Sequence, residues 1–186
     1  MTYSVALIVG SRRAESFNRK IAEAAVTLAP GSLIFDRVEN GGLSLYNQDL
    51  ETDSSTPPAW IAFRDWIRGA DAILFATPEY NRSLPGALKN AIDVGSRPAG
   101  TNAWNGKPAA IISVTPGMTG AFGANQHLRQ SLVTLNLPVM PKPEIYLSRA
   151  DKLLDEIGAL NDESVTKLLT QFMQSFAAWV ARFAAE

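Results

Sequence analysis

Cysteine is missing from all 186 residues. That absence excludes a disulfide framework, a thiolate nucleophile, a Cys-ligated metal and an iron–sulfur cluster. It fits a reducing compartment, and a cytoplasmic location is expected. Histidine occurs once, as His127, so neither a His-rich metal site nor a Ser-His triad is expected, and no metal is. The net charge is only −1, which gives no electrostatic reason to expect a nucleic acid or an anionic membrane as partner. No run of about 20 apolar residues is present, so no membrane span is expected. Met1 to Gly10 lacks a basic region ahead of its apolar run, so no secretory signal is expected either. Repeats and low-complexity tracts are absent too.

The composition is that of an ordinary globular chain, 46% hydrophobic and 19% charged, with length for a single domain over residues 1–186. Val5–Val9, Leu33–Phe35, Ala72–Ala76, Pro108–Val114 and Glu144–Leu147 are short apolar runs that read as strands, the first and third of them buried. Between and after them lie five helical patterns. The first begins at Ser16, an N-cap, and ends at Pro30-Gly31. Pro57-Pro58 opens the second, with Trp60, Phe63, Ile67 and Ala70 on one face. The third carries Leu84, Leu88, Ala91 and Ile92, the fourth Leu128, Leu132 and Leu135. The last runs from about Asp162 to Ala185 with a wide apolar stripe through Phe172, Phe176 and Val180. Strands alternating with helices predict an α/β fold, a doubly wound parallel sheet with helices on both faces, and five strands favour the order 2-1-3-4-5. In that order the winding reverses between strands one and three. The loops after strands one, three and four then converge on one crevice.

Loop one, Gly10 to Asn18, is neither a Gly-Lys-Ser/Thr phosphate loop nor a Gly-x-Gly-x-x-Gly fingerprint. Its polar groups suit one terminal phosphate: hydroxyls at Ser11 and Ser16, an amide at Asn18, a guanidinium at Arg13 and the N–H groups of a helix start. The plainer reading is a helix cap among solvated arginines. Loop three, from Pro78, offers an acid (Glu79), a ring (Tyr80) and an amide (Asn81), a mixture that suits a flat, partly polar ligand. Loop four, Thr115 to Gly123, has glycines at 117, 120 and 123 that let backbone approach such a ligand. A phosphate site, an aromatic-amide wall and a glycine wall together describe flavin mononucleotide, FMN. His127, just inside the fourth helix, reads as surface or packing. Asn40 to Thr56 is a long turn-rich connection, and such a segment is functional or mobile.

The sequence resembles the NADPH-dependent FMN reductases of flavodoxin-like fold, within them the quinone and chromate reductase branch. The matching pieces are Gly10-Ser11-x-Arg13-x-x-Ser16-Phe17-Asn18, Leu45-Tyr46-Asn47-Gln48-Asp49-Leu50-Glu51, Pro78-Glu79-Tyr80-Asn81-x-Ser83-x-Pro85-Gly86-x-Leu88-Lys89-Asn90, Gly106-Lys107-Pro108 and His127-Leu128-Arg129-Gln130. They cover roughly residues 3–180 in order. The resemblance implies non-covalent FMN, with NADPH or NADH as electron donor. It implies that Ser11, Arg13, Ser16, Phe17 and Asn18 hold the phosphate and ribityl chain, and that Pro78, Glu79, Tyr80 and Asn81 line the ring. The family's glycine-bearing loop falls on Thr115, Gly117 and Gly120, with Pro116 a departure from the pattern. It further implies a homodimer or homotetramer with FMN near the subunit interface, to which Arg129, Glu144 and the Asn40–Thr56 segment are assigned. The flavin carries the chemistry, and no side chain is assigned as catalytic. The expected reaction passes hydride from nicotinamide to FMN, then electrons to a quinone or similar small acceptor (chromate, an azo compound, free flavin), by a ping-pong scheme. An electron-carrier flavodoxin without its own nicotinamide reaction is the alternative, against which the near-zero charge argues. A flavin- or nucleotide-sensing module is a third reading.

Overall fold

The computed structural model describes residues 1–52 and 54–183. Five parallel strands form one sheet: β1 (Tyr3–Val9), β2 (Leu33–Arg37), β3 (Ala72–Thr77), β4 (Ala109–Val114) and β5 (Ile145–Leu147). Their order is β2-β1-β3-β4-β5, the order predicted. Five helices connect and flank them: α1 (Phe17–Thr27), α2 (Pro58–Gly69), α3 (Gly86–Gly95), α4 (Phe122–Val133) and α5 (Glu163–Phe183). The expected extension of the last helix to Ala185 lies outside the described residues. Among those described, no helix is long and apolar enough to cross a membrane.

Side chains alternate across the pleat. Val5, Leu7, Leu74 and Ile112 join one core with Ile21 of α1 and Leu169, Phe172 and Phe176 of α5. Ala6, Ile8, Ile73, Phe75 and Ile111 join the other, with Trp60 and Phe63 of α2, Leu88 of α3 and Leu128 of α4. Because both faces are covered, β3 and β4 are buried at every position. That is why these strands read as unbroken apolar runs. β2 is an edge strand, and Ile34, Asp36 and Arg37 are exposed on it.

Residues 38–52 and 54–57 are anchored rather than loose. Asn90 of α3 accepts from the Tyr46 N–H at 2.8 Å and donates to the Ser44 carbonyl at 2.9 Å. The Trp60 indole donates to the same carbonyl at 3.2 Å and stacks on Tyr46 at 5.3 Å. Arg64 of α2 is buried, donates Nε to the Val94 carbonyl at 2.9 Å, and pairs through both terminal nitrogens with Glu51. Removing one member of a buried, hydrogen-bonded ion pair leaves the other charge uncompensated. Glu51→Ala is therefore expected to lower the unfolding free energy by about 3–5 kcal/mol. Urea titration of the variant beside the parent protein measures it, and a loss below about 1 kcal/mol, the value of an exposed pair, would contradict the assignment.

Candidate functional site

The strand order places the carboxyl ends of β1 and β3 side by side, with their following chains leaving toward opposite faces. Loop one leads from β1 into α1, and loop three from β3 into α3. Gly10 continues the β1–β3 pairing through its N–H to the Ala76 carbonyl at 2.8 Å. Ser11, Ser16 and Asn18 are all buried, whereas Arg13 is exposed. Ser16 is the N-cap of α1, its hydroxyl accepting from the Arg19 N–H at 3.3 Å. The Phe17 ring packs against the α1–α5 core, so what it offers a ligand is its backbone N–H. Near the start of the helix, Glu15 is held below the usual carboxylate range, chiefly by the hydrogen bond and charge of Lys20. Arg13 has no carboxylate within 4.0 Å among the described residues.

Asn18 departs from the donor role suggested by its residue type. Its amide nitrogen donates inward to the Val114 carbonyl at 3.3 Å, tying loop one to the end of β4. Its Oδ1 is buried without a hydrogen-bond partner. A buried acceptor left empty costs about 1–3 kcal/mol, and an ionised phosphate oxygen, itself an acceptor, does not satisfy it. A ligand hydroxyl can.

Loop three turns tightly. Tyr80 and Ser83 exchange both backbone hydrogen bonds, at 2.9 and 3.0 Å, and Asn81 and Arg82 between them have φ of 50° and 65°. Two successive positive φ values make this a type I′ turn. Pro78 is buried, Tyr80 and Asn81 are exposed, and Tyr80 lines a 310 Å³ crevice with Gly10, Arg12, Arg13, Pro85 and Gly86. The crevice thus joins loop one, loop three and the start of α3.

Glu79 points away from that crevice. One carboxylate oxygen accepts from the Ala124 N–H at 3.2 Å, in the first turn of α4. The other accepts from Arg82 at 3.1 Å. The residue preceding α4, Ala121, is in the left-handed region and has no side chain to cap with, so Glu79 supplies the cap from loop three. A carboxylate there also favours the helix dipole. Sequence spacing alone gave no signal of this, because the partners are 45 residues apart.

Loop four is fastened on its far side. The Thr115 N–H donates to the Leu147 carbonyl at 2.9 Å, and its hydroxyl accepts from the Gly117 N–H at 3.2 Å. Gly120 has φ of 61°, and a Cβ there would lie 2.7 Å from Cβ of Tyr146. Its carbonyl accepts from the buried Ser113 hydroxyl at 2.8 Å. Gly120 therefore shapes the loop from behind, and the exposed stretch Pro116 to Thr119 faces outward. Tyr146 itself titrates above its usual range, raised first by burial and then by its contact with Glu144. His127 meets the turn of loop three, its Nδ1 2.8 Å from the Ser83 hydroxyl. Arg129 donates within its own chain, to Asn125 at 3.0 Å and the Met140 carbonyl at 3.1 Å, with Glu144 3.8 Å away. Among the described residues no cluster of His, Cys, Asp or Glu stands ready to hold a metal.

The site is therefore three loops at one sheet reversal, cross-tied by Asn18 and Glu79. It has donors and a cation in loop one, one buried empty acceptor, and an aromatic turn opposite. That combination belongs to a flavodoxin-like protein built for a phosphorylated, hydroxyl-bearing ligand with a flat end. A family model described as NADPH-dependent FMN reductase matches residues 3–152. A quinone reductase of Pseudomonas putida is 56% identical over 178 residues, covering 96% of this chain and 95% of the relative. A 2-hydroxy-1,4-benzoquinone reductase of a Burkholderia species is 44% identical over 180 residues, 97% of each chain. Among solved structures, the flavoenzyme NAD(P)H:(acceptor) oxidoreductase FerB from Paracoccus denitrificans superposes with a TM-score of 0.91 at 39% identity, covering 98% of this chain and 99% of that one. The chain belongs to the NADPH-dependent FMN reductase family. It is an oxidoreductase with FMN as cofactor and NAD(P)H as electron donor.

The Glu79 cap gives a direct test. Glu79→Ala is expected to lower stability by about 1–2 kcal/mol, the value of a helix cap with a dipole contribution, as read by urea unfolding. Glu79→Gln, which keeps an acceptor for the Ala124 N–H, is expected to lose less.

Proposed function

We propose that this protein oxidises NAD(P)H and reduces quinones or similar small acceptors, using FMN held across the three loops. The observation that carries the reading is the buried, unpartnered Asn18 Oδ1 beside a donor-rich helix start. FMN has the two features that this pair of surroundings demands, a ribityl chain of hydroxyl donors and a terminal phosphate. Ser11, Ser16, Arg13 and the N–H groups of Phe17 and Asn18 would hold the phosphate, and Asn18 Oδ1 would accept from a ribityl hydroxyl. Pro78, Tyr80 and Asn81 would wall the ring on one side, with Thr115, Gly117 and Gly120 forming and backing the other. Glu79 contributes its backbone to that wall, its carboxylate being committed to α4.

When bound, FMN supplies acceptance of a hydride from NAD(P)H and return of two electrons to a second substrate. The protein's part is to orient and to exclude water. No nucleophile or general base is required of it, in keeping with a chain without cysteine and with its single histidine engaged by Ser83. Donor and acceptor take turns at the open side of the crevice, which is a ping-pong order. The relatives named as quinone and benzoquinone reductases support quinones as the acceptor class. Exposed Tyr80 and Met118 on loops three and four and Phe122 at the start of α4 support a second copy of the chain covering this face in a homodimer or homotetramer. The cysteine-free composition supports a cytoplasmic location.

Purified protein is expected to be yellow, to bleach with NADPH under anaerobic conditions, and to recover its colour on adding 1,4-benzoquinone. Parallel lines in double-reciprocal plots are the expected kinetic pattern. A colourless protein that takes up no added FMN would refute the proposal. Arg13→Ala is expected to raise the Kd for FMN about 10- to 100-fold, the worth of one charge-assisted hydrogen bond, with an unchanged thermal midpoint of the apoprotein. Equal affinity in variant and parent would remove Arg13 from the phosphate site.

A further inference from the structure

Loop one has a second cationic side. Beyond Ser11, toward β2, lies another pocket of 310 Å³, which shares Arg12 with the crevice that holds Arg13 and Tyr80. Three arginines border it: Arg12 from loop one, Arg19 from the first turn of α1 and Arg37 from the end of β2. Glu39, Asn40 and Gly41 close it from the segment after β2, so the lining includes one carboxylate, which is paired with Arg37. The arginines differ in how their charge is spent. Arg37 is paired with Glu23 at 3.4 Å and Glu39 at 3.1 Å. Arg12 and Arg19 have no carboxylate within 4.0 Å among the described residues. Arg19 makes one long contact, to the Ala14 carbonyl at 3.5 Å, and its Nε is buried with no partner. A buried guanidinium nitrogen without an acceptor is costly and rare in native proteins. Arg12 lies flat on Gly41, where a Cβ would come within 2.9 Å of its Nε. With Glu39 offset by Arg37, the guanidinium groups of Arg12 and Arg19, the latter with its Nε unsatisfied, leave the pocket cationic and suited to an anion with several oxygens, such as a phosphate monoester.

The reaction brings two phosphate monoesters to this protein. One is the terminal phosphate of FMN, placed above at Arg13 and Ser16. The other is the 2′-phosphate of NADPH, the group that NADH lacks. Arg12 lines both the crevice and the second pocket, so a dinucleotide lying across loop one reaches from one to the other. We infer that the pocket of Arg12, Arg19 and Arg37 receives the 2′-phosphate of the dinucleotide, with Arg12 and Arg19 as its ligands, and makes NADPH the preferred electron donor. This inference rests on the placement of the FMN phosphate on the other side of loop one. Arg37, already paired on its two sides, holds the pocket's wall and adds less.

The test uses FMN-loaded Arg12→Ala and Arg19→Gln proteins. Each is expected to lower the ratio of kcat/KM for NADPH to kcat/KM for NADH at least about tenfold, the size of one charge-assisted contact. Direct binding is the second readout. Adenosine 2′,5′-bisphosphate should bind the parent more tightly than adenosine 5′-monophosphate by calorimetry, and the variants should lose that difference. The Kd for FMN, measured on the Arg19→Gln apoprotein, should hold, because Arg19 lines the second pocket and not the crevice. An unchanged donor ratio overturns the inference. A raised Kd for FMN with an unchanged ratio also overturns it, and assigns the pocket to the flavin phosphate instead. Inorganic phosphate is the control for a mere anion site. If it competes with the parent's adenosine 2′,5′-bisphosphate at equal affinity, and the donor ratio does not move in the variants, the pocket reads charge alone and the inference fails. Arg12 is exposed and its side chain makes no hydrogen bond or ion pair among the described residues, so its apo variant is expected to keep the parent's circular dichroism and thermal midpoint.

Discussion

The sheet is wound outward in both directions from β1 and β3, and everything at the site follows from that reversal. Parallel strands need crossovers, and crossovers here pack α1 and α5 on one face and α2, α3 and α4 on the other. Loops leaving neighbouring strands toward opposite faces cannot cover each other. A gap at the carboxyl edge between β1 and β3 is the geometric remainder. The gap would be shapeless if its three loops moved independently. Two side chains prevent that: Asn18 ties the first loop to the end of β4, and Glu79 ties the third to the start of α4. Both do so with half of their hydrogen-bonding capacity, and both use backbone partners whose positions the sheet and helix already fix.

Charge is distributed around the same point with little waste. Loop one carries two adjacent arginines, Arg13 in the crevice and Arg12 lining both the crevice and the pocket beside it. Acidic groups close by are occupied elsewhere, Glu15 by Lys20 and Glu39 by Arg37. Arginines without a carboxylate partner among the described residues thus gather at the loop-one end of a protein whose net charge is −1. Anionic cofactor and anionic donor are attracted to that end without the rest of the surface becoming sticky for polyanions.

Much of the architecture is legible in the sequence because the signals are local. Buried parallel strands are short apolar runs. Caps such as Ser16 and breaks such as Pro57-Pro58 sit at the helix starts they mark. Loops one and three share a crevice, and side-chain ties join loop one to the end of β4 and loop three to the start of α4. What those residues do there is less legible, because it depends on partners far away in the chain. Glu79 looks like a ligand-facing acid and is a helix cap for a segment 45 residues on. Asn18 looks like a donor and presents an acceptor, its nitrogen being taken by Val114, 96 residues away. The Asn40–Thr56 connection looks free and is held by Asn90 and Arg64, which belong to later helices. Lys107 belongs to a recognisable motif, yet it donates to the Arg68 and Ala70 carbonyls at the end of α2. Arg19 and Arg37 reveal a shared pocket only when α1 and β2 are set side by side.

The turn at Tyr80–Ser83 carries a consequence for which amino acids this family can tolerate. Both of its central residues sit in the left-handed region. Asparagine enters that region readily, whereas arginine does so at a cost that only glycine avoids fully. Variation at residue 82 should therefore be governed by backbone shape rather than by the ligand. β-branched residues would be purged there, and glycine would persist even though it surrenders the Glu79 contact. A position can thus look invariant for function while it is policed by stereochemistry.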